Sequence, residues 1–157
     1  MTKIRRRLLV VDASVVHSAG ESDHPISSYC RNCLDAILNI CHKVAVTPAI
    51  LEEWNRHHMS WFSRTWRHTM AAHRKPLQSV EPANVPINLS AYTKRAREEI
   101  EKDMCLLEAA LGAEKIIVTR DDSLKKALAQ RSDGKALLKS IKWINPLADG
   151  VKALEAL

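Results

Sequence analysis

Residues 6–20 read RRLLVVDASVVHSAG, and the fold turns on how the apolar run Leu8–Val11 ends at the carboxylate of Asp12. A half-exposed strand alternates apolar and polar residues, whereas consecutive apolar residues bounded by charge suit a central strand of a parallel sheet, covered on both faces. An acid at the carboxyl end of such a strand stands where open α/β sheets place their ligands. A strand is therefore predicted over residues 7–12, and Asp12 becomes the first candidate site residue.

Working outward, a short loop with Gly20 and Pro25 leads to SSYCRNCLDAILNICH, predicted as a helix over 27–42 with Ser27 or Ser28 as its N-cap. In KVAVTPAILEEW, residues 44–47 read as a strand, Thr47 as a cap and Pro48 as the first helical residue, where its missing N–H costs nothing. A basic helical region follows, then a long proline-bearing loop over 76–89. SAYTKRAREEIEKDMCLLEAALG reads as one helix from near Ser90 to Leu111, ended by Gly112. Residues 115–130, KIIVTRDDSLKKALAQ, repeat the opening logic of buried strand, acids and helix. The chain then closes on a strand, a turn at Pro146 and a last helix. Alternating strands and helices predict an α/β fold, a Rossmann-like three-layer sandwich with a mostly parallel central sheet, as a single domain spanning 1–157.

Composition narrows the function classes. The four cysteines are too few and too oddly spaced for a disulfide scaffold. No apolar stretch approaches the roughly 18 residues of a membrane helix, and the opening residues do not read as a signal peptide, so a cytoplasmic protein without membrane contact is expected. The formal net charge of +6 favours a polyanionic partner. From Trp54 to Val80 there is no Asp or Glu, but five Arg or Lys, four of the seven histidines and three of the four tryptophans. Cations interleaved with flat rings suit a nucleic acid strand. The competing reading is a solvated basic face over a core stripe, since Met59, Phe62, Trp66 and Met70 recur at helical spacing, as do Trp54 and Trp61.

Four acids draw attention on chemical grounds. Asp12 and Asp121 each follow an apolar strand directly, and parallel strands joined by right-handed crossovers bring such ends to one sheet edge. Asp103, on a continuous helix, falls inside the apolar stripe of Ala96, Ile100, Leu107 and Ala110, where an unpaired carboxylate is costly. Glu53, or its neighbour Glu52, lies on the helix after another strand. Asp122 competes with Asp121, though it is the more natural cap for the next helix. Ser14 stands close enough to hold a carboxylate through its hydroxyl. Hard oxygens gathered on one edge suit Mg²⁺ or Mn²⁺, and the chemistry that follows is metal-assisted phosphodiester hydrolysis.

The pieces LLVVDASVV, VAVTPAILEEW, DMCLLEAAL and KIIVTRDDSL, in this order and covering nearly the whole chain, resemble the PIN-domain nucleases. The resemblance implies a PIN-like fold and a Mg²⁺- or Mn²⁺-dependent endoribonuclease that leaves a 5′-phosphate. It implies Asp12, Glu53, Asp103 and Asp121 as the catalytic, metal-binding acids, with Ser14, Thr119 and Asp122 in support; counting from Thr47 favours Glu53 over Glu52. Arg56, Arg64, Arg67, Arg74 and Arg120 are expected to guide the RNA. The small size resembles the toxins of toxin–antitoxin pairs, which implies a homodimer and a cognate antitoxin protein.

Rival readings from other classes are weaker. Cys30, Cys33, Cys41 and His42 resemble a zinc set, but on one helix they spread over three turns, too far to wrap a tetrahedral ion. A haloacid-dehalogenase phosphatase would need a second aspartate where Ser14 stands, and no acceptor aspartate suits a phospho-receiver. The remaining alternative is a PIN-like module that binds RNA or a protein without cutting.

Overall fold

The computed structural model describes residues 5–72 and 76–157. Five strands, β1 (Leu8–Val11), β2 (Lys43–Val46), β3 (Leu77–Ser79), β4 (Ile116–Val118) and β5 (Lys142–Ile144), form one sheet in the order β3-β2-β1-β4-β5. Every neighbouring pair is parallel. The helices are α1 (Ala13–Ser18), α2 (Pro25–Ile40), α3 (Pro48–Asn55), α4 (Trp61–Ala72), α5 (Lys94–Lys102), α6 (Met104–Leu111), α7 (Ser123–Leu128), α8 (Ser132–Ser140) and α9 (Gly150–Glu155). The result is an α/β fold with an all-parallel sheet, consistent with Rossmann-like layering.

Both faces of the central strands are buried. Leu9, Val10 and Val11 of β1, Val44 and Ala45 of β2 and Ile117 and Val118 of β4 have essentially no exposed surface, and this is why their sequences are unbroken apolar runs. Register pairs Val11 with Val118 and Leu9 with Val44, so β1 sits between a strand that follows it and one that comes much later. The strand order reverses between β1 and β4. A crevice opens beyond the carboxyl ends of strands at such a reversal. Asp12 and Thr119, the residues just past the two strands, are therefore brought side by side, with the Asp12 N–H donating to the Val118 carbonyl at 2.9 Å.

Several sequence expectations are corrected. The predicted helix over 27–42 begins at Pro25, which takes the first helical position, with His24 rather than Ser27 or Ser28 as the cap. Ser27 is buried inside the helix, and its hydroxyl accepts the Gly20 N–H at 2.9 Å. Residues 13–18 are helical rather than loop, because α1 starts immediately after Asp12. The predicted loop over 76–89 contains β3, which adds the outermost strand beside β2. Helix α8 has no counterpart among the elements predicted from the sequence.

The largest correction concerns the predicted helix from Ser90 to Leu111. It starts later, where the Thr93 hydroxyl accepts the Ala96 N–H at 3.3 Å, and it breaks at Asp103, whose φ of −111° and ψ of 16° interrupt the helical geometry. Asp103 is the joint between α5 and α6, not a member of a continuous stripe. Gly112 does end α6, but with a right-handed φ of −80°. Its glycine is required by close approach instead, since a Cβ would collide with the Glu81 carbonyl oxygen.

Among the described residues no helix is long and apolar enough to cross a membrane.

Candidate active site

Asp12 is held by two hydroxyls. Ser14, in the first turn of α1, donates to its Oδ2 at 2.7 Å, and Thr119, just past β4, donates to the same oxygen at 2.8 Å. Thr119 Oγ1 in turn accepts the Asp121 N–H at 3.1 Å, which fixes the turn carrying the second acid. The Asp121 carboxylate accepts the Ser123 N–H at 2.9 Å. Against the penalty of partial burial, the Ser123 hydrogen bonds and the charges of Lys102 and Arg120 hold Asp121 below the usual carboxylate range. Asp121 therefore makes the bond at the start of α7 that the sequence suggested for Asp122. Asp122 is exposed, makes no capping bond and pairs with Lys125 at 3.5 Å.

α3 brings in the third acid. Trp54 is fully buried, and its indole N–H donates to the Val11 carbonyl at 3.1 Å, locking α3 onto the end of β1. The residue before it, Glu53, then lines a narrow crevice together with Asp12 and Asp103, floored by Ile50 and Leu106. Glu52 is exposed and does not line this crevice. Glu53 is not free: Arg56 pairs with it at 2.8 Å. Cys105 also lines the crevice, and burial together with Glu53, Asp103 and Asp12 pushes its thiol up to about 11, so it stays protonated at neutral pH.

Asp103 bears the strongest electrostatic conflict in the crevice. Burial first, then the charge of Asp12, pushes its carboxyl up to about 7; Asp121 and Glu99 add to the rise and Lys102 opposes it. The four acids thus converge on the reversal point, three lining the crevice and Asp121 close enough to act on Asp103. As placed, they are not a preformed cage: among the described residues no three Asp, Glu, His or Cys side chains stand close enough to enclose an ion. The oxygens available to a cation at this edge are those of Asp12, Asp103, Glu53 and Asp121.

The remaining residues divide clearly. Arg120 is exposed between Thr119 and Asp121. Arg56, Arg64 and Arg67 line an open groove beside α4, while Arg74 lies outside the described residues. Trp54, Met59, Trp66 and Met70 are core, as their spacing suggested, but Trp61 is 65% exposed. The cysteine-rich helix provides no zinc set. Cys30 and Cys33 are buried, Cys41 is exposed in a left-handed turn, and both ring nitrogens of buried His42 are engaged, with the Arg7 N–H at 3.0 Å and the Leu154 carbonyl at 2.9 Å. Sequence reasoning missed the positioning role of Trp54; its place directly after Glu53 and close behind a strand was the available signal.

Compared with known proteins, the chain matches no family model, no curated protein and no solved structure.

Proposed function

We propose that the chain is a PIN-like, divalent-metal-dependent endoribonuclease whose reacting centre is the acidic crevice at the β1/β4 reversal. The observation that carries this reading is the meeting of Asp12, Glu53 and Asp103 in one crevice, where burial and the neighbouring acids Asp12 and Asp121 push the Asp103 carboxyl up to about 7. Carboxylates held together at such a cost need a cation or a shared proton. The donor set is hard oxygen, which suits Mg²⁺ or Mn²⁺ over softer metals. A bound ion of this type would neutralise charge on the scissile phosphate and activate a water as nucleophile.

The chain's own residues do the rest. Ser14 and Thr119 fix the orientation of Asp12 by occupying one of its two oxygens. Thr119 and Ser123 set the turn that presents Asp121. Trp54 carries Glu53 to the crevice, and Arg56 anchors it at the mouth. Arg120, exposed beside Asp121 and close enough for its charge to act on that carboxylate, is the cation offered to an approaching phosphate. The decisive experiment is cleavage of single-stranded RNA in Mn²⁺ by wild type and by Asp103→Asn. Cleavage is expected to fall at least a hundredfold while the circular dichroism spectrum is unchanged; an Asp103→Asn protein that cuts at the wild-type rate contradicts the assignment.

A second reading, a PIN-like module that binds RNA or protein without cutting, is favoured by the Glu53–Arg56 pair at 2.8 Å, which engages a carboxylate that the nuclease reading assigns to the metal. Wild-type protein that binds RNA but never cuts it would select that reading. The biological setting included in the proposal is the toxin of a toxin–antitoxin pair, acting in the cytoplasm as a homodimer and blocked by its antitoxin.

A further inference from the structure

The acid-free segment that begins at Trp54 builds a surface of its own. An open groove of about 610 Å³ runs between the carboxyl end of α3 and the outer face of α4, lined chiefly by Arg56, His57, His58, Arg64, Arg67 and His68. No acid lines it. Every Asp and Glu of the chain lies among the described residues, and of the ion pairs they form only Glu53 with Arg56 involves a groove arginine. Arg67 is held by uncharged partners instead: its Nη1 donates to Asn55 Oδ1 at 2.6 Å, and the guanidinium lies 5.8 Å from the centre of the Trp54 ring. Its charge is oriented but not neutralised.

Trp61 extends this row. It is the first residue of α4, and positions 61, 64 and 68 follow one another along one helix face. The other three tryptophans each donate their indole N–H to a backbone carbonyl: Trp54 to Val11, Trp66 to Leu34 and Trp143 to Leu138. Trp61 makes no such bond among the described residues and stands 65% exposed, so it is not a core side chain at the margin. A large flat ring in line with unneutralised cations matches a chain that alternates phosphates with accessible flat bases. A duplex hides its base faces, and the Asp and Glu side chains of an acidic peptide carry no flat ring of their own.

We infer that the outer face of α4 is a single-stranded RNA track, in which Arg64, Arg67 and His68 meet phosphates and Trp61 stacks one base. Arg56 lines this groove and pairs with Glu53, which lines the acidic crevice, so the groove and the proposed reacting centre adjoin through one ion pair. The choice of RNA rests on the nuclease reading; the binding test does not use cleavage.

A fluorescein-labelled octanucleotide of uridine is titrated in EDTA at several salt concentrations and followed by anisotropy. Wild type is expected to bind with an affinity that falls with salt, at a slope of about −0.7 per phosphate contacted. Arg64→Ala should weaken binding and make the slope shallower by about 0.7. Trp61→Ala should weaken binding about tenfold with the slope unchanged, and Trp61→Phe should recover most of the loss. Both positions are exposed, so the variants are expected to fold. The inference is overturned if wild type does not bind, if both alanine variants bind as wild type does, or if polyglutamate displaces the RNA at equal charge and Trp61→Ala affects neither ligand. The last result would mark an acidic protein segment as the occupant. The two proposals separate cleanly: weakened binding by the variants with no cutting by wild type in Mn²⁺ removes the nuclease and leaves the track. Cutting with unaltered variant binding removes the track alone.

Discussion

At the scale of single residues, Asp103 carries a free-energy penalty that pH can read. Its carboxyl titrates near 7 in the folded protein, whereas the unfolded chain releases the same proton at an ordinary carboxylate value of about 4. Between those values the folded state holds a proton the unfolded state has lost, so stability falls as pH rises through the window, and the full penalty is present above it. After allowance for partial exposure this is about 2 kcal/mol. In metal-free buffer, Asp103→Asn should therefore be more stable than wild type at pH 8 by about that amount and equal to it near pH 4. Urea unfolding at the two pH values checks this. An unchanged difference between them would mean that Asp103 ionises normally. The sequence made this residue conspicuous for a reason the structure replaces: a carboxylate among Ala96, Ile100, Leu107 and Ala110 looks buried on a continuous stripe, yet the chain breaks at Asp103 and turns it toward Asp12. Asp12 was legible because the apolar run Leu8–Val11 stops at it. Its hold by Thr119 was not, since 107 residues separate the two and only strand pairing joins them.

Among the elements, helix ends explain both successes and misses. Thr47–Pro48 reads directly as cap and first turn, and the Thr47 hydroxyl accepts the Ile50 N–H at 3.2 Å. His24–Pro25 uses the same device, but two serines just beyond Pro25 offered a stronger local signal and shifted the expected start. β3 escaped notice because Leu77–Ser79 is only three residues long on a sheet edge, where neither burial nor alternation leaves a pattern. α2 ends at Cys41, which is exposed and left-handed at φ 68°, a conformation that costs a residue with a Cβ but not glycine. Cys41→Gly is accordingly predicted to stabilise the protein by about 0.5–1 kcal/mol, once glycine's greater freedom in the unfolded chain is subtracted. Thermal melts would register a higher midpoint; a lower one would mean that the thiol makes a contact outweighing the strain. The next residue, His42, ties the strand ends to α9 through its two ring nitrogens, which is why a histidine beside cysteines here is structural.

Over the whole molecule, the all-parallel order β3-β2-β1-β4-β5 places the sheet's single reversal between β1 and β4, and the acids collect there while the net charge is +6. An acidic crevice inside a basic protein is the charge pattern expected of a site that receives a polyanion and seats a cation beneath it. The α/β class was legible from apolar runs and helix caps. The strand order was not, because local patterns do not say which strands pair. The central claim is that Asp12, Glu53, Asp103 and Asp121 together hold a hard divalent cation, and Mn²⁺ titration by calorimetry at pH 7.5 tests it most directly. Saturable binding to wild type that is lost in both Asp12→Asn and Asp103→Asn is the predicted result; no saturable binding, or binding that survives both substitutions, would contradict it.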